Sequence, residues 1–176
     1  MNKRQSRLLP ALRFNQSHWR NAWSKGGWLL GILTGIISVP VLADTANFGT
    51  VSLAPGFDTA TSLVSGYTGG SYSLSAITNR DVNNKVCIGF ADPTPDHIIV
   101  LQKNFSNLRI AVDSSGSDTT LLVQAPDGKI YCGDDTGRLK DASVTLSQWQ
   151  EGSYKVWVGV FNPGVKINYT LSVQQP

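Results

Sequence analysis

The stretch Asp118–Asp135, DTTLLVQAPDGKIYCGDD, decides the fold. Thr119–Gln124 is β-branched and apolar, Lys129–Cys132 is its short partner, and Ala125-Pro126-Asp127-Gly128 lies between them. Proline presets φ at the first corner of a turn and Asp-Gly supplies a tight exit, so the segment predicts an antiparallel hairpin. A second hairpin is expected downstream, pairing Tyr154–Phe161 with Lys166–Val173 across Asn162-Pro163-Gly164. Side chains of a strand alternate between its faces, which puts Tyr154, Val156, Val158 and Val160 on one side and Trp157 and Phe161 on the other. Ile167, Tyr169, Leu171 and Val173 repeat the alternation.

Outward from these hairpins the same signature continues. Period-two segments at Phe48–Leu53, Tyr72–Ile77, Lys85–Phe90, Ile98–Leu101, Leu108–Val112 and Ser143–Leu146 are separated by Gly, Pro, Asn, Asp and Ser. The Thr-, Ser- and Gly-rich stretch Asp58–Ser71 reads as a long surface connection or a weak edge strand. The best helical window beyond residue 43, Ser147–Gly152, is too short to nucleate alone. Short strands at regular spacing imply an all-β, jelly-roll-like antiparallel β-sandwich, one domain over residues 44–176.

Residues 1–43 have a different grammar. Met1–Lys25 holds six Lys and Arg and no acid, an apolar run extends from Trp28 to Ala43, and Val41-Leu42-Ala43 presents small residues before Asp44. A basic n-region, an apolar h-region and an A-x-A-like exit define a secretory signal peptide, cleaved after Ala43. An uncleaved anchor is the competing reading. The run is shorter than the roughly 20 residues a spanning helix needs, and Gly31, Gly35 and Pro40 weaken it, so no stable membrane insertion is expected after cleavage. The expected location is outside the inner membrane, whether periplasmic, cell-surface or secreted.

Without the leader, nine Lys and Arg face twelve Asp and Glu, so the basic balance of the whole chain resides in residues 1–43. The remaining bases are scattered among acids, which disfavours a nucleic-acid partner. Two cysteines remain, Cys87 and Cys132. In an exported protein such a pair is expected to form a disulfide. It would close a loop of about 45 residues, worth roughly 4 kcal/mol by chain entropy.

A family resemblance rests on Leu53-Ala-Pro-Gly-Phe57, Gly69-Gly70, Cys87-Ile-Gly-Phe90, Pro95-Asp96-His97 and Leu108-Arg-Ile-Ala-Val112. It continues through Asp118-Thr-Thr-Leu-Leu-Val123, Ala125-Pro-Asp-Gly128, Tyr131-Cys-Gly-Asp-Asp135, Gly152-Ser-Tyr-Lys-Val-Trp-Val-Gly159 and Tyr169-Thr-Leu-Ser172. In this order the motifs resemble the bacterial pre-peptidase C-terminal domains, most strongly over residues 106–173. The resemblance implies a jelly-roll-like sandwich without catalysis of its own. Relatives accompany secreted proteases, and some bind collagen or polysaccharide and take up calcium.

Candidate chemistry is sparse. His97 is the one histidine after residue 43, and its sequence neighbour Asp96 should point to the opposite face of a strand, a poor arrangement for a triad. Glu151 is the one glutamate and sits at an expected turn, which leaves a two-carboxylate glycosidase without its pair. Asp113, Asp118, Asp134 and Asp135, with Asp92, Asp96 and Asp141 in reserve, are the candidate ligands for Ca2+, which takes six to eight oxygens gathered from loops. The same aspartates also suit Asx-turns on a soluble surface. Trp149, Trp157, Tyr154, Phe161 and Tyr131 are candidates for a sugar-stacking surface, with Trp157 and Phe161 sharing a face, although aromatics in this pattern more often fill a sandwich core or cover its edge. The expected function is a non-catalytic binding module for an extracellular polymer or protein surface, with a calcium-stiffened loop end. A lectin-like module using its aromatic face is the alternative, and a hydrolase centred on His97 the third reading.

Overall fold

The computed structural model describes residues 44–136 and 139–176; the expected leader, 1–43, lies outside the described residues. Two β-sheets build the described part. The first contains β1 (Thr50–Leu53), β3 (Tyr72–Ser73), β4 (Phe90–Ala91), β5 (His97–Leu101), β7 (Thr119–Gln124), β8 (Ile130–Gly133) and β11 (Gly152–Val160). The second runs in the order β2 (Leu63–Tyr67), β12 (Asn168–Gln174), β6 (Phe105–Asp113), β10 (Leu139–Trp149) and β9 (Asp135–Thr136). Pairings are antiparallel except that of β1 with β5, where Val51 stands opposite Ile99 in a parallel register. Among the described residues no helix is long and apolar enough to cross a membrane.

The main core lies between the sheets. Leu53, Ile99, Leu101, Leu121, Val123, Val156 and Val158 from the first sheet pack with Leu108, Ile110, Val144, Tyr169, Leu171 and Val173 from the second. Each set sits at every second position of its strand, as the alternation requires. Strand β7 explains its own unbroken Thr-Thr-Leu-Leu-Val run, because both of its faces are covered. Leu121 and Val123 enter the main core, while Leu122 turns outward into a second cluster with Leu74, Cys87, Ala91, Cys132 and Trp157.

The expected hairpin of β7 and β8 forms in the register Leu121↔Gly133 to Gln124↔Ile130, closed by Gly128 N–H donating to Ala125 C=O at 2.9 Å. The second expected hairpin does not form. Strand β11 pairs with β5, β7 and β4, whereas β12 pairs with β2 and β6 in the other sheet. Residues 161–167 thus carry the chain from one layer to the other. They are tied down by Gly164 N–H to Gly70 C=O (2.7 Å) and by Thr68, whose hydroxyl donates to Val165 C=O and accepts from Ile167 N–H, both at 2.9 Å. This crossing lets Val156 and Val158 face Leu171 and Val173 across the core, an arrangement that one flat hairpin would deny them. The expected strand over Lys85–Phe90 is also absent; it shrinks to Phe90–Ala91, preceded by an Arg80–Val86 bridge.

Candidate functional site

A cavity of about 470 Å³ opens beside the β7–β8 turn, between that turn, the loop carrying Val82 and Asn83, and the end of β10. Three of the aromatics singled out in the sequence meet there. Trp149 and Tyr154 are buried beneath it with ring centroids 5.0 Å apart, and Tyr131 stands half-buried in its wall. The Trp149 indole N–H donates to the carbonyls of Leu146 (2.9 Å) and Leu108 (3.2 Å), and the Tyr154 hydroxyl donates to Gln150 C=O at 2.9 Å. Burial pushes the Tyr154 phenol up to about 12, so it remains a neutral donor at any ordinary pH.

The rim is made of amides and hydroxyls: Asn83, Gln148, Gln150, Thr145 and Ser147. Its two charged residues are neighbours in space as well, since Lys129 Nζ meets Asp127 at 2.8 Å. That contact holds the Asp127 carboxyl below the usual range and raises the lysine. The cavity therefore presents balanced charge, with planar amides that both donate and accept.

Gln148 has φ of +63°, a left-handed conformation inside strand β10. For a side-chain-bearing residue this is strained by about 1–2 kcal/mol, and strain of this kind concentrates at ligand-binding positions.

The loop wall is held by a buried aspartate that the sequence reading did not single out. One Asp81 carboxylate oxygen accepts from the amides of Asn83 and Lys85, each at 2.8 Å, and the other accepts from Cys132 N–H at 3.0 Å. The expected disulfide is present, joining Cys87 to Cys132 with a Cα–Cα distance of 5.4 Å. Loop and hairpin strand are thus fixed to each other twice, next to Tyr131.

The proposed stacking pair is separated. Trp157 is 6% exposed in the second core cluster, its N–H directed at Pro93 C=O (3.4 Å), whereas Phe161 lies beyond the end of β11 at 61% exposure. They make no common platform, because the outer face of the first sheet is itself covered by Leu74 and the disulfide segment.

Asp118, Asp134 and Asp135 converge, with a carboxylate oxygen from each lying within 4.8 Å of the others. The register of the β7–β8 hairpin, continued past its last pair, explains this proximity. Partial burial and the charges of Asp135 and Asp118 raise the Asp134 carboxyl. Asp113 is not part of the group; its carboxylate closes an Asx-turn on Ser115 N–H at 3.0 Å.

His97 lies in the interior, with 0% exposure. Its Nε2 and the Tyr169 hydroxyl share a hydrogen bond of 3.0 Å across the two sheets, and Nδ1 has no partner. Desolvation lowers the imidazole to about 4, leaving it neutral. Asp96, as strand alternation predicts, points elsewhere and accepts Val158 N–H at 2.7 Å. The geometry offers no triad at this position.

The class defined by this geometry is a disulfide-linked β-sandwich with a polar, aromatic-floored cavity. No protein-family model matches the chain, and no curated protein matches it in sequence. Among solved structures it is similar to the pre-peptidase C-terminal domain of a collagenase from Bacillus anthracis, at 13% identity and a TM-score of 0.41, over 71% of this chain and 94% of that one. It is also similar to a surface-associated copper-binding protein important in copper acquisition by Methylomicrobium album BG8, at 13% identity and a TM-score of 0.42, over 72% and 100% of the two chains.

Proposed function

We propose that the chain is an exported, non-catalytic binding module that recognises an extracellular polymer, and that this polymer is a neutral polysaccharide bound at the Tyr131–Gln148 cavity. One observation carries the reading: a cavity lined by amides, hydroxyls, aromatic rings and a few aliphatic side chains, whose single acid and single base pair with each other. Sugar hydroxyls need donors and acceptors side by side, and the C–H face of a pyranose packs on an aromatic ring; a charged polymer would gain nothing from a balanced lining. Sealed His97 and the separation of Asp96 from it support a role without catalysis. The basic stretch and apolar run of residues 1–43 support export.

A glycan array probed with the purified protein and with a Tyr131→Ala variant tests the proposal. Retention of neutral oligosaccharides by the parent, and loss of roughly tenfold or more by the variant, are expected. Retention of acidic glycans alone, or of protein ligands alone, would remove the polysaccharide reading.

The trio Asp118, Asp134 and Asp135 suits calcium as a partial ligand set to be completed by water and backbone carbonyls, and its role in this reading is to stiffen the loop end. Calcium at roughly ten times its dissociation constant should stabilise the fold by about 1.4 kcal/mol through linkage. Asp134→Asn should abolish that increment in a thermal melt with and without chelator.

A further inference from the structure

A smaller cavity, of about 260 Å³, is lined by Asn47, Phe48, Tyr67, Gly70, Asp92 and Asp96. Its charge is unbalanced where that of the first is balanced: two carboxylates and two aromatic rings, with no Lys or Arg in the lining. Asp96 is 3% exposed. One of its oxygens is satisfied by Val158 N–H, but the other receives only a long 3.4 Å contact from the Asn47 amide. The ion pairs formed among the described residues, Lys129–Asp127 and Lys155–Asp44, lie elsewhere. A carboxylate so deeply placed is costly to keep charged without a cation.

The aromatic wall supplies an independent observation. The Tyr67 ring already carries an ammonium group, with Lys166 Nζ 3.6 Å from its centroid, and Phe48 packs edge-on against it at 4.8 Å. Backbone geometry brings two of the walls together. Gly70 has φ of +82°, and a Cβ there would lie 2.4 Å from Ala91 C=O, so only glycine lets this turn approach the Asp92 segment.

We propose that this cavity binds an organic ammonium group, a primary or quaternary amine inserted between the Phe48–Tyr67 rings and the carboxylates of Asp92 and Asp96. An ammonium suits both kinds of wall, drawing on carboxylate charge and on the negative face of an aromatic ring. Calcium is served less well, because the rings supply no ligand oxygens and most of the six to eight it takes would have to come from water.

Occupation should depend on pH. Desolvation first, with a contribution from Asp92, raises the Asp96 carboxyl to about 7, so it is protonated, and the site weakened, below that pH. The other titratable groups around it are Asp92, His97, Tyr169 and, on the Tyr67 ring, Lys166. Of the two that share the buried hydrogen bond, His97 titrates at about 4 and Tyr169 is raised by burial, which leaves Asp96 to govern the neutral range.

The test is amide chemical-shift titration of the protein with n-butylammonium and tetramethylammonium chlorides, with sodium and calcium chlorides at matched ionic strength as controls. Saturable shifts at Phe48, Tyr67 and Asp92 for the amines alone are expected, weakening roughly tenfold for each pH unit below the Asp96 midpoint. Asp96→Asn keeps an acceptor for Val158 N–H and should lose affinity roughly tenfold or more; Tyr67→Leu, at an exposed position, should lose severalfold with the fold intact. No saturable shift, equal binding by both variants, or equal response to calcium would overturn the proposal.

Discussion

The two cavities are built from similar materials and differ in one respect. Both have tyrosine in the wall, an aspartate and an amide side chain. In the larger, Lys129 lies 2.8 Å from Asp127 and cancels it; in the smaller, Asp92 and Asp96 face each other's charge with no cation between them. Internal compensation decides which ligand fits. The balanced cavity suits a neutral, hydroxyl-rich molecule, and the unbalanced one a cation.

The comparison is broken most forcefully at the disulfide. Cys87–Cys132 fixes the loop bearing Val82 and Asn83 against β8, which form part of the larger cavity, and neither cysteine lines the smaller. Replacing both cysteines with alanine should cost about 4 kcal/mol by loop entropy, read in denaturant unfolding. In protein that remains folded, saccharide binding should fall and ammonium binding persist; equal loss of both would mean that the cavities are not mechanically separate.

The pH response distinguishes the two regions next. The folded Asp96 carboxyl, raised to about 7, holds its proton more firmly than in the unfolded chain, so its contribution is fully present below about 3.8 and is lost as pH rises through about 7. His97 has the opposite sign. Its folded value of about 4 is depressed from 6.5, so a stabilising contribution present above 6.5 is lost as pH falls towards 4. Between these limits the two slopes oppose, and a shallow stability profile should result. Asp96→Asn should remove the decline between about 3.8 and 7, making the variant the more stable protein above pH 7 in thermal melts; an unchanged profile would refute the assignment.

The smallest effect sharpens the account of the larger cavity. Gln148→Gly relieves the φ of +63° and should raise stability by up to about 1 kcal/mol while weakening saccharide binding. Gain of stability without loss of affinity would show the strain to be unrelated to binding.

What was legible in the sequence follows how local its cause was. The β7–β8 hairpin could be read because Pro126, Asp127 and Gly128 determine it within a few residues. Asn162-Pro163-Gly164 carries the same turn chemistry, yet there the chain changes sheets, because the choice between hairpin and crossing belongs to partners such as Thr68 and Gly70 far away in sequence. Strand β2 lies in the Asp58–Ser71 stretch, whose Ser and Gly content fits a connection or a weak edge strand alike, and pairing with β12 at the edge of the second sheet makes it the latter. The disulfide was legible from an even pair of cysteines in a chain read as exported, and the convergence of Asp118 with Asp134 and Asp135 from the hairpin register. Trp157 fills a core, the commoner fate of such a residue, but alternation cannot reveal that this core covers the outer face of the first sheet. Neither cavity was legible as a whole. Gln148 meets Asn83, and Asp96 meets Tyr67, only through tertiary packing, although Trp149, Tyr154 and Tyr131 had already marked part of the first.

The central claim is that a charge-balanced cavity recognises a neutral glycan, and calorimetric titration at low and high salt tests it most directly. A neutral oligosaccharide retained on the array should bind with an affinity that changes by less than about twofold between the two salt concentrations, since no net charge is screened, and should not bind Tyr131→Ala. An affinity that collapses in high salt, or one that survives the Tyr131 substitution intact, would contradict the claim.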